Sequence, residues 1–324
     1  MKTIGNNKII TFKLLLSSIS VMFFCSGCST EKEAEVKSIF KSEASRQAFY
    51  ATYDQSMTAW AIPYEPLDIQ TSYGKIHINV CGPKDKPPLI LLPVMTFTSV
   101  LWYPNVCELS KYFHVFAVDI IGDHGKSEAS RRITDRKEFA DWLCEVMDSL
   151  KIDKADVAGE SYGGFIALNT AYYRPDRIRK VIAIAPAPSI INFKITGRIL
   201  VKLIRVIPSL IPKDPGKAFP MFCEYPDKMD TRLKEIYFAV MRDGQSSLLI
   251  DPTPFSRQEL KGFRIPVLVM MGEKDPIYNC DKGLKRARTF IPQVRTIKVL
   301  NAKHFVNVDQ TEIVDKNIIE FLAY

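Results

Sequence analysis

The sequence predicts an α/β fold in which a mostly parallel central sheet carries helices on both faces and receives an inserted helical cap. Three observations predict it. Short apolar runs at residues 89–94, 115–118, 157–158, 181–184, 267–271 and 294–300 alternate with longer helical segments, which is how parallel strands joined by crossover helices read. The run at 157–158 passes through Gly159-Glu160-Ser161-Tyr162-Gly163 directly into a helical segment that ends at Arg174-Pro175. Between Pro188 and Gly262 the alternation stops: residues 197–206 and 231–241 look helical, prolines interrupt the rest, and no strand pattern occurs. This stretch reads as a cap over residues 189–262.

The chain opens with Lys2 and Lys8 ahead of an apolar stretch over residues 9–24, broken by Thr11, Lys13 and a few serines. This is the layout of a secretory signal peptide. Its end, Cys25-Ser26-Gly27-Cys28, resembles the lipobox of bacterial lipoproteins, in which small residues precede a cysteine that is acylated and becomes the new N-terminus. The first lipobox position, usually Leu, is Cys25 here. The resemblance implies a lipoprotein signal peptide over residues 1–27, lipidation at Cys28, and a place on the outer side of the cytoplasmic membrane in a bacterial cell envelope. It also implies more than one acyl chain, which stable anchoring requires. The alternative is an uncleaved signal anchor, since the stretch is close to the minimum length for a spanning helix. Both readings export the chain.

Residues 28–60 are expected to form a tether and then a helix on the body, because residues 31–55 are charged, free of Gly and Pro, and carry Val36, Ile39, Phe40, Phe49, Tyr50 and Tyr53 at loose helical intervals. The sheet domain then fills residues 61–324. Residues 67–80 alternate around Tyr73-Gly74, with Ile76, Ile78 and Val80 on one face, which predicts a β-hairpin. The clearest helix spans residues 135–150, where Phe139, Trp142, Leu143, Val146, Met147 and Leu150 recur at three- and four-residue steps. Asp135 and Glu138 are placed to form its opening cap.

Composition excludes several classes. The formal charge of +8 falls to about +5 once the three leader lysines are removed, and no dense basic run with interleaved aromatics suggests a nucleic-acid groove. Of seven cysteines, Cys25 and Cys28 belong to the leader. The five others are odd in number, widely spaced and without a C-x-x-C pattern, so neither a disulfide framework nor a metal site is indicated.

The chemistry starts at Ser161. A Gly-x-Ser-x-Gly between a strand and a helix makes a sharp turn whose glycines let backbones pack closely, so that the serine hydroxyl projects above the sheet edge at a helix N-terminus. Serine is a poor nucleophile unless a base takes its proton. Four histidines exist: His77 sits in the hairpin, His114 in a strand and His124 in a loop before Ser161, whereas His304 follows the last strand. The chain order for such an elbow is nucleophile, acid, histidine, and His304 alone fits it. Asp275, just past the strand at 267–271, is placed to hold the imidazole tautomer, with Glu273 as the fallback acid. No cofactor or metal is needed by this chemistry.

Over nearly all of residues 60–324 the sequence resembles the α/β-hydrolase superfamily. Tyr64-Glu65, Gly74-Lys75-Ile76-His77, Trp102-Tyr103-Pro104-Asn105 and Asp119-Ile120-Ile121-Gly122-Asp123 are similar to its bacterial carboxylesterases. The resemblance implies the α/β-hydrolase fold and hydrolysis of a carboxylic ester of a small or lipidic molecule through an acyl-enzyme. It departs from the family in two places. Where the third strand usually ends in His-Gly, this chain has Pro93-Val94, so by position the oxyanion hole becomes the backbone N–H groups of Met95 and Tyr162. The loop over residues 119–127 also carries one residue more than the usual D-x-x-G-x-G-x-S and is expected to be mainly structural. Gly159-Glu160-Ser161-Tyr162 is similar to serine carboxypeptidases as well, although their Asn-Gly-Gly-Pro segment is absent.

Thioester, lactone or C–C bond hydrolysis and acyl transfer use the same machinery, and a fold does not choose among them. A weakly catalytic small-molecule receptor is the reading from another class, resting on Pro93-Val94. Within the cap, Arg198, Lys202 and Arg205 recur on one helical face. That face is expected to be the wet side of a lid helix, or else a surface that lies against anionic lipid.

Overall fold

A computed structural model of the protein describes residues 36–199 and 218–323. Its sheet begins with the predicted hairpin, β1 (Glu65–Thr71) and β2 (Gly74–Cys81), paired antiparallel from Glu65 opposite Val80 to Thr71 opposite Gly74. Gly74 makes the tight turn with φ of 135°, a conformation open to glycine and costly for other residues. The strands that follow are β3 (Pro88–Leu92), β4 (His114–Val118), β5 (Glu128–Ala129), β6 (Ala155–Glu160), β7 (Ile178–Ile184), β8 (Val267–Gly272) and β9 (Val294–Val299). Among the described residues they form one sheet in the order β1-β2-β4-β3-β6-β7-β8-β9, with β5 pairing β2 at its edge. From β4 to β9 every pairing is parallel, while β2 runs antiparallel to β4. The two-residue β5 was not predicted, because a strand that short has no alternation to read.

Before β1 lies α1 (Glu43–Met57); between strands lie α2 (Val106–Leu109), α3 (Arg136–Ser149), α4 (Tyr162–Tyr173), α5 (Thr231–Asp243), α6 (Arg257–Lys261) and α7 (Cys280–Phe290); after β9 come α8 (Val306–Asp309) and α9 (Thr311–Ala323). Alternation along the strands feeds two apolar layers. In β3, Leu89 and Leu91 face one and Ile90 and Leu92 the other. Helix α3 buries Phe139, Ala140, Trp142, Leu143, Cys144, Val146 and Met147. Each large apolar side chain so buried contributes about 1.5–3 kcal/mol, against propensity differences below about 0.7 kcal/mol per residue. The buried face therefore fixes this helix.

Its cap differs from the expectation in one detail. Asp135 accepts the Glu138 N–H at 2.9 Å, but Glu138 does not reciprocate toward Asp135. Its carboxylate is drawn instead to the Arg131 guanidinium at 2.8 Å and the Thr134 N–H at 2.6 Å.

Helix α1 lies on the body as expected, burying Phe49, Tyr53 and Met57 and packing against α5. The chain before it is tied down too, since Lys41 N–H donates to Asp243 O at 3.0 Å and Phe40 bridges Gly244. In the cap, α5 matches the predicted helix, and α6, closed by a Ser256–Glu259 capping box, was not foreseen. The helix expected over 197–206 is seen at its start, where residues 195–199 are helical. Lys202 and Arg205 lie outside the described residues, as do Cys28 and the signal peptide. No helix of the described residues is long and apolar enough to cross a membrane.

Candidate active site

The order β4-β3-β6 puts the carboxyl ends of β3 and β6 side by side, with Leu92 opposite Gly159. Their connections leave toward opposite sides of the sheet, and the crevice at such a switch point is where open α/β sheets bind ligands. Both segments predicted for the chemistry emerge here: the loop of Pro93 to Thr98 from β3, and Ser161 from β6.

The turn from β6 into α4 is as tight as the motif requires. Ser161 has φ of 51° and ψ of −111°, a strained conformation for a residue with a Cβ. Its backbone is fixed on both sides, donating from N–H to Ile184 O at 2.9 Å and accepting from Ala187 N–H at 2.8 Å. The flanking glycines are needed for close approach. A Cβ on Gly159 would lie 2.2 Å from Gly163 O, and one on Gly163 would lie 2.1 Å from Leu92 O.

Asp275 and His304 arrive from the ends of β8 and β9. The buried Asp275 carboxylate accepts the N–H groups of Ile277 and Tyr278 on Oδ1, at 2.7 and 3.1 Å, leaving Oδ2 for His304 Nδ1 at 2.9 Å. His304 Nε2 then lies 3.0 Å from Ser161 Oγ. A carboxylate only accepts, so Nδ1 carries the hydrogen and Nε2 presents its lone pair to the serine hydroxyl. The three predicted residues thus form one hydrogen-bonded chain. The His304 backbone is held by Phe222 O, which accepts the N–H of His304 at 2.9 Å and that of Phe305 at 3.1 Å. The fallback acid Glu273 is exposed and faces Lys298 and the Asn301 N–H, away from the imidazole. His77 is held by Asp68 in the hairpin, and His124 by Gln245 O.

The loop of Met95 is pinned against the elbow, since Gly163 N–H donates to Pro93 O at 3.0 Å. Among the described residues no acceptor takes the Met95 N–H. Tyr162 opens α4 beside it, and its hydroxyl donates to Ile250 O of the cap segment at 2.8 Å.

Glu160 was singled out only for its carboxypeptidase-like setting, and its side chain turns the other way. It is fully buried and accepts the N–H groups of Val306 and Asn307, at 2.7 and 3.3 Å, on the chain just past His304. Burial pushes its carboxyl well above the ordinary carboxylate range. Among the described residues, its second oxygen has no hydrogen-bond partner. A group so placed supports the histidine loop from behind and does not face a substrate. The described residues contain no cluster of side chains suited to a metal ion.

Comparison with known proteins places the chain in a family. Residues 90–316 match the Alpha/beta hydrolase family. The chain is 35% identical over 289 residues to carboxylesterase YbfK of Bacillus subtilis (strain 168), spanning 85% of this chain and 93% of that protein. The crystal structure of carboxylesterase CesB (YbfK) from Bacillus subtilis superimposes with a TM-score of 0.77 at 33% identity, over 86% of this chain and 98% of that one. The crystal structure of naproxen esterase (carboxylesterase NP) from Bacillus subtilis gives 0.79 at 29% identity, over 85% and 96%. With most of its length matched and a relative of this identity, the chain belongs to the alpha/beta hydrolase family.

Proposed function

We propose that the protein is a serine carboxylesterase whose nucleophile is Ser161. The observation that carries this reading is the hydrogen-bonded chain from Ser161 through His304 to Asp275, in a protein whose relatives include two carboxylesterases. Ser161 Oγ attacks the ester carbonyl carbon as its proton passes to His304 Nε2, and Asp275 stabilises the resulting imidazolium. The carbonyl oxygen, now an oxyanion, is held by the N–H groups of Met95 and Tyr162. His304 returns the proton to the leaving alkoxide, which departs as the alcohol. Water, deprotonated by the same nitrogen, then attacks the acyl-enzyme and releases the acid. No cofactor takes part. The receptor reading rests on Pro93-Val94 alone, whereas relatives that are carboxylesterases match most of this chain and favour turnover.

A fluorophosphonate probe should label the wild-type protein within minutes and the label should map to Ser161. A panel of p-nitrophenyl esters and matching thioesters, lactones and amides should show turnover concentrated on the oxygen esters. Rapid labelling with turnover confined to lactones or thioesters would replace the ester assignment, and absence of labelling would remove the nucleophile.

From the sequence we further propose that the enzyme is held at the membrane by a lipidated Cys28. The expected result for Cys28→Ser is release from the membrane fraction or retention of an uncleaved leader. Mass spectrometry finding an unmodified Cys28 in the mature protein would rule lipidation out.

A further inference from the structure

Both departures from the family pattern meet at one hydrogen bond. The segment after β3 lacks the usual glycine, yet Thr96 and Thr98 have φ of 73° and 51°, so the backbone beside Met95 takes left-handed conformations that non-glycine residues resist. Such a backbone persists only where its surroundings hold it. Thr98 is held by its own turn, with the next N–H, that of Ser99, bound to Asp119 Oδ1 at 2.8 Å. Thr96, the neighbour of the oxyanion donor, is held by Asp123: its N–H donates to Asp123 Oδ2 at 2.7 Å.

Asp123 lies in the loop over residues 119–127, between Gly122 and Gly125, where the chain carries one residue more than the family pattern. Its carboxylate is buried, and its other oxygen lies 3.4 Å from His124 Nδ1. His124 is fixed in turn, since Nε2 donates to Gln245 O at 2.9 Å. Gly244 gives the ring its room, as a Cβ there would stand 2.6 Å from Nε2. Gln245 is itself tied to the N-terminal segment, donating from N–H to Ile39 O at 2.7 Å and from Nε2 to Phe40 O at 2.8 Å. The loop over residues 119–127 therefore places a buried carboxylate whose Oδ2 holds the backbone next to Met95, while among the described residues its Oδ1 has no hydrogen-bond partner.

We propose that Asp123 is the positioning residue of the oxyanion loop, taking over by its hydrogen bond to Thr96 N–H the conformational control that glycine exerts elsewhere in the family. The proposal rests on the assignment of Met95 and Tyr162 as oxyanion donors. Asp123 touches no reacting atom. Its effect is confined to steps in which negative charge develops on the carbonyl oxygen, whereas a merely structural role would lower stability and alter substrate binding and turnover together.

The test uses the full-length enzyme in detergent, with p-nitrophenyl acetate as substrate and a boronic acid as mimic of the tetrahedral adduct. Asp123→Ala should lower kcat by about ten- to a hundredfold, less than complete loss of an oxyanion donor, with KM within about twofold. Boronic acid affinity should fall in parallel. Asp123→Asn, whose amide oxygen can still accept from Thr96 N–H, should recover most of the loss. If the Ala variant does not fold, Asp123→Glu serves in its place, and the same comparison with Asn decides. An Ala or Glu variant with kcat within twofold of wild type overturns the proposal. So does an Asn variant no better than either, since charge would then matter and the hydrogen bond would not. Activity surviving in Ser161→Ala would instead overturn the underlying enzymatic reading, so the two failures are distinguishable.

Discussion

Ser161→Ala is expected to reduce kcat on p-nitrophenyl acetate by about 10⁴- to 10⁶-fold, since loss of a triad nucleophile removes the acyl-enzyme route and leaves only what the oxyanion donors and binding contribute. The fold should be untouched. Alanine keeps a Cβ and gains no bulk, so the φ of 51° at the elbow is no harder for it than for serine. The contacts of the Ser161 backbone to Ile184 O and Ala187 N–H do not involve the side chain. Among the described residues the hydrogen bond lost is the one from Oγ to His304 Nε2, which is worth about 1 kcal/mol. Initial rates and a thermal melt on the same preparation check both halves of the prediction. Residual activity above about a tenth of wild type, far more than such a loss permits, would mean that another group is the nucleophile. His304→Ala should be nearly as inactive, and the double variant no worse than either single one, because residues acting as a unit are not additive.

Much of this site could be read from the sequence because its chemistry constrains local residue types. The turn at Ser161 needs glycine on both sides for reasons of contact, Gly159 against Gly163 O and Gly163 against Leu92 O, and those glycines sit at fixed spacing from the serine. His304 followed from chain order among four histidines, and Asp275 from its place at a strand end. The strands were legible for a similar reason, since runs such as Leu89 to Leu92 are buried on both faces and must be apolar throughout. The longer-range links were not legible. Nothing local to Glu160 says that its carboxyl will support the backbone at Val306 and Asn307, 146 and 147 residues away. Asp123 left one trace, the extra residue in its loop, but its partner Thr96 lies in a different connection and is met only when the sheet order brings β3 and β4 together. Helix α6 and strand β5 are too short to show a period. Where a contact is made between segments joined only by the sheet, sequence pattern carries no record of it.

Asp275→Asn should lower kcat by about 10⁴-fold, less than the loss of Ser161 or His304, and the reason lies in how the carboxylate's two oxygens are already assigned. Oδ1 accepts two backbone N–H groups, from Ile277 and Tyr278, at 2.7 and 3.1 Å. An amide NH₂ cannot accept them, so in the variant the amide oxygen is forced into that position. The NH₂ then occupies the place of Oδ2, 2.9 Å from His304 Nδ1. Two donors cannot share that contact. The imidazole responds by moving its hydrogen to Nε2, which leaves Nδ1 as acceptor and turns an N–H toward Ser161 Oγ. The base now faces its nucleophile with the wrong tautomer and has no lone pair with which to take the proton, although every heavy atom stays where it was. The variant should therefore fold and melt like the wild type, bind a boronic acid only through the weakened nucleophile, and react slowly with a fluorophosphonate. A ¹⁵N spectrum of His304 reporting the switch from Nδ1–H to Nε2–H, together with the rate loss, is the expected outcome. Retention of more than about a tenth of wild-type kcat, against the 10⁴-fold loss that a misplaced tautomer brings, would show that Asp275 does not set the tautomer and that the hydrogen-bonded chain is not the proton path.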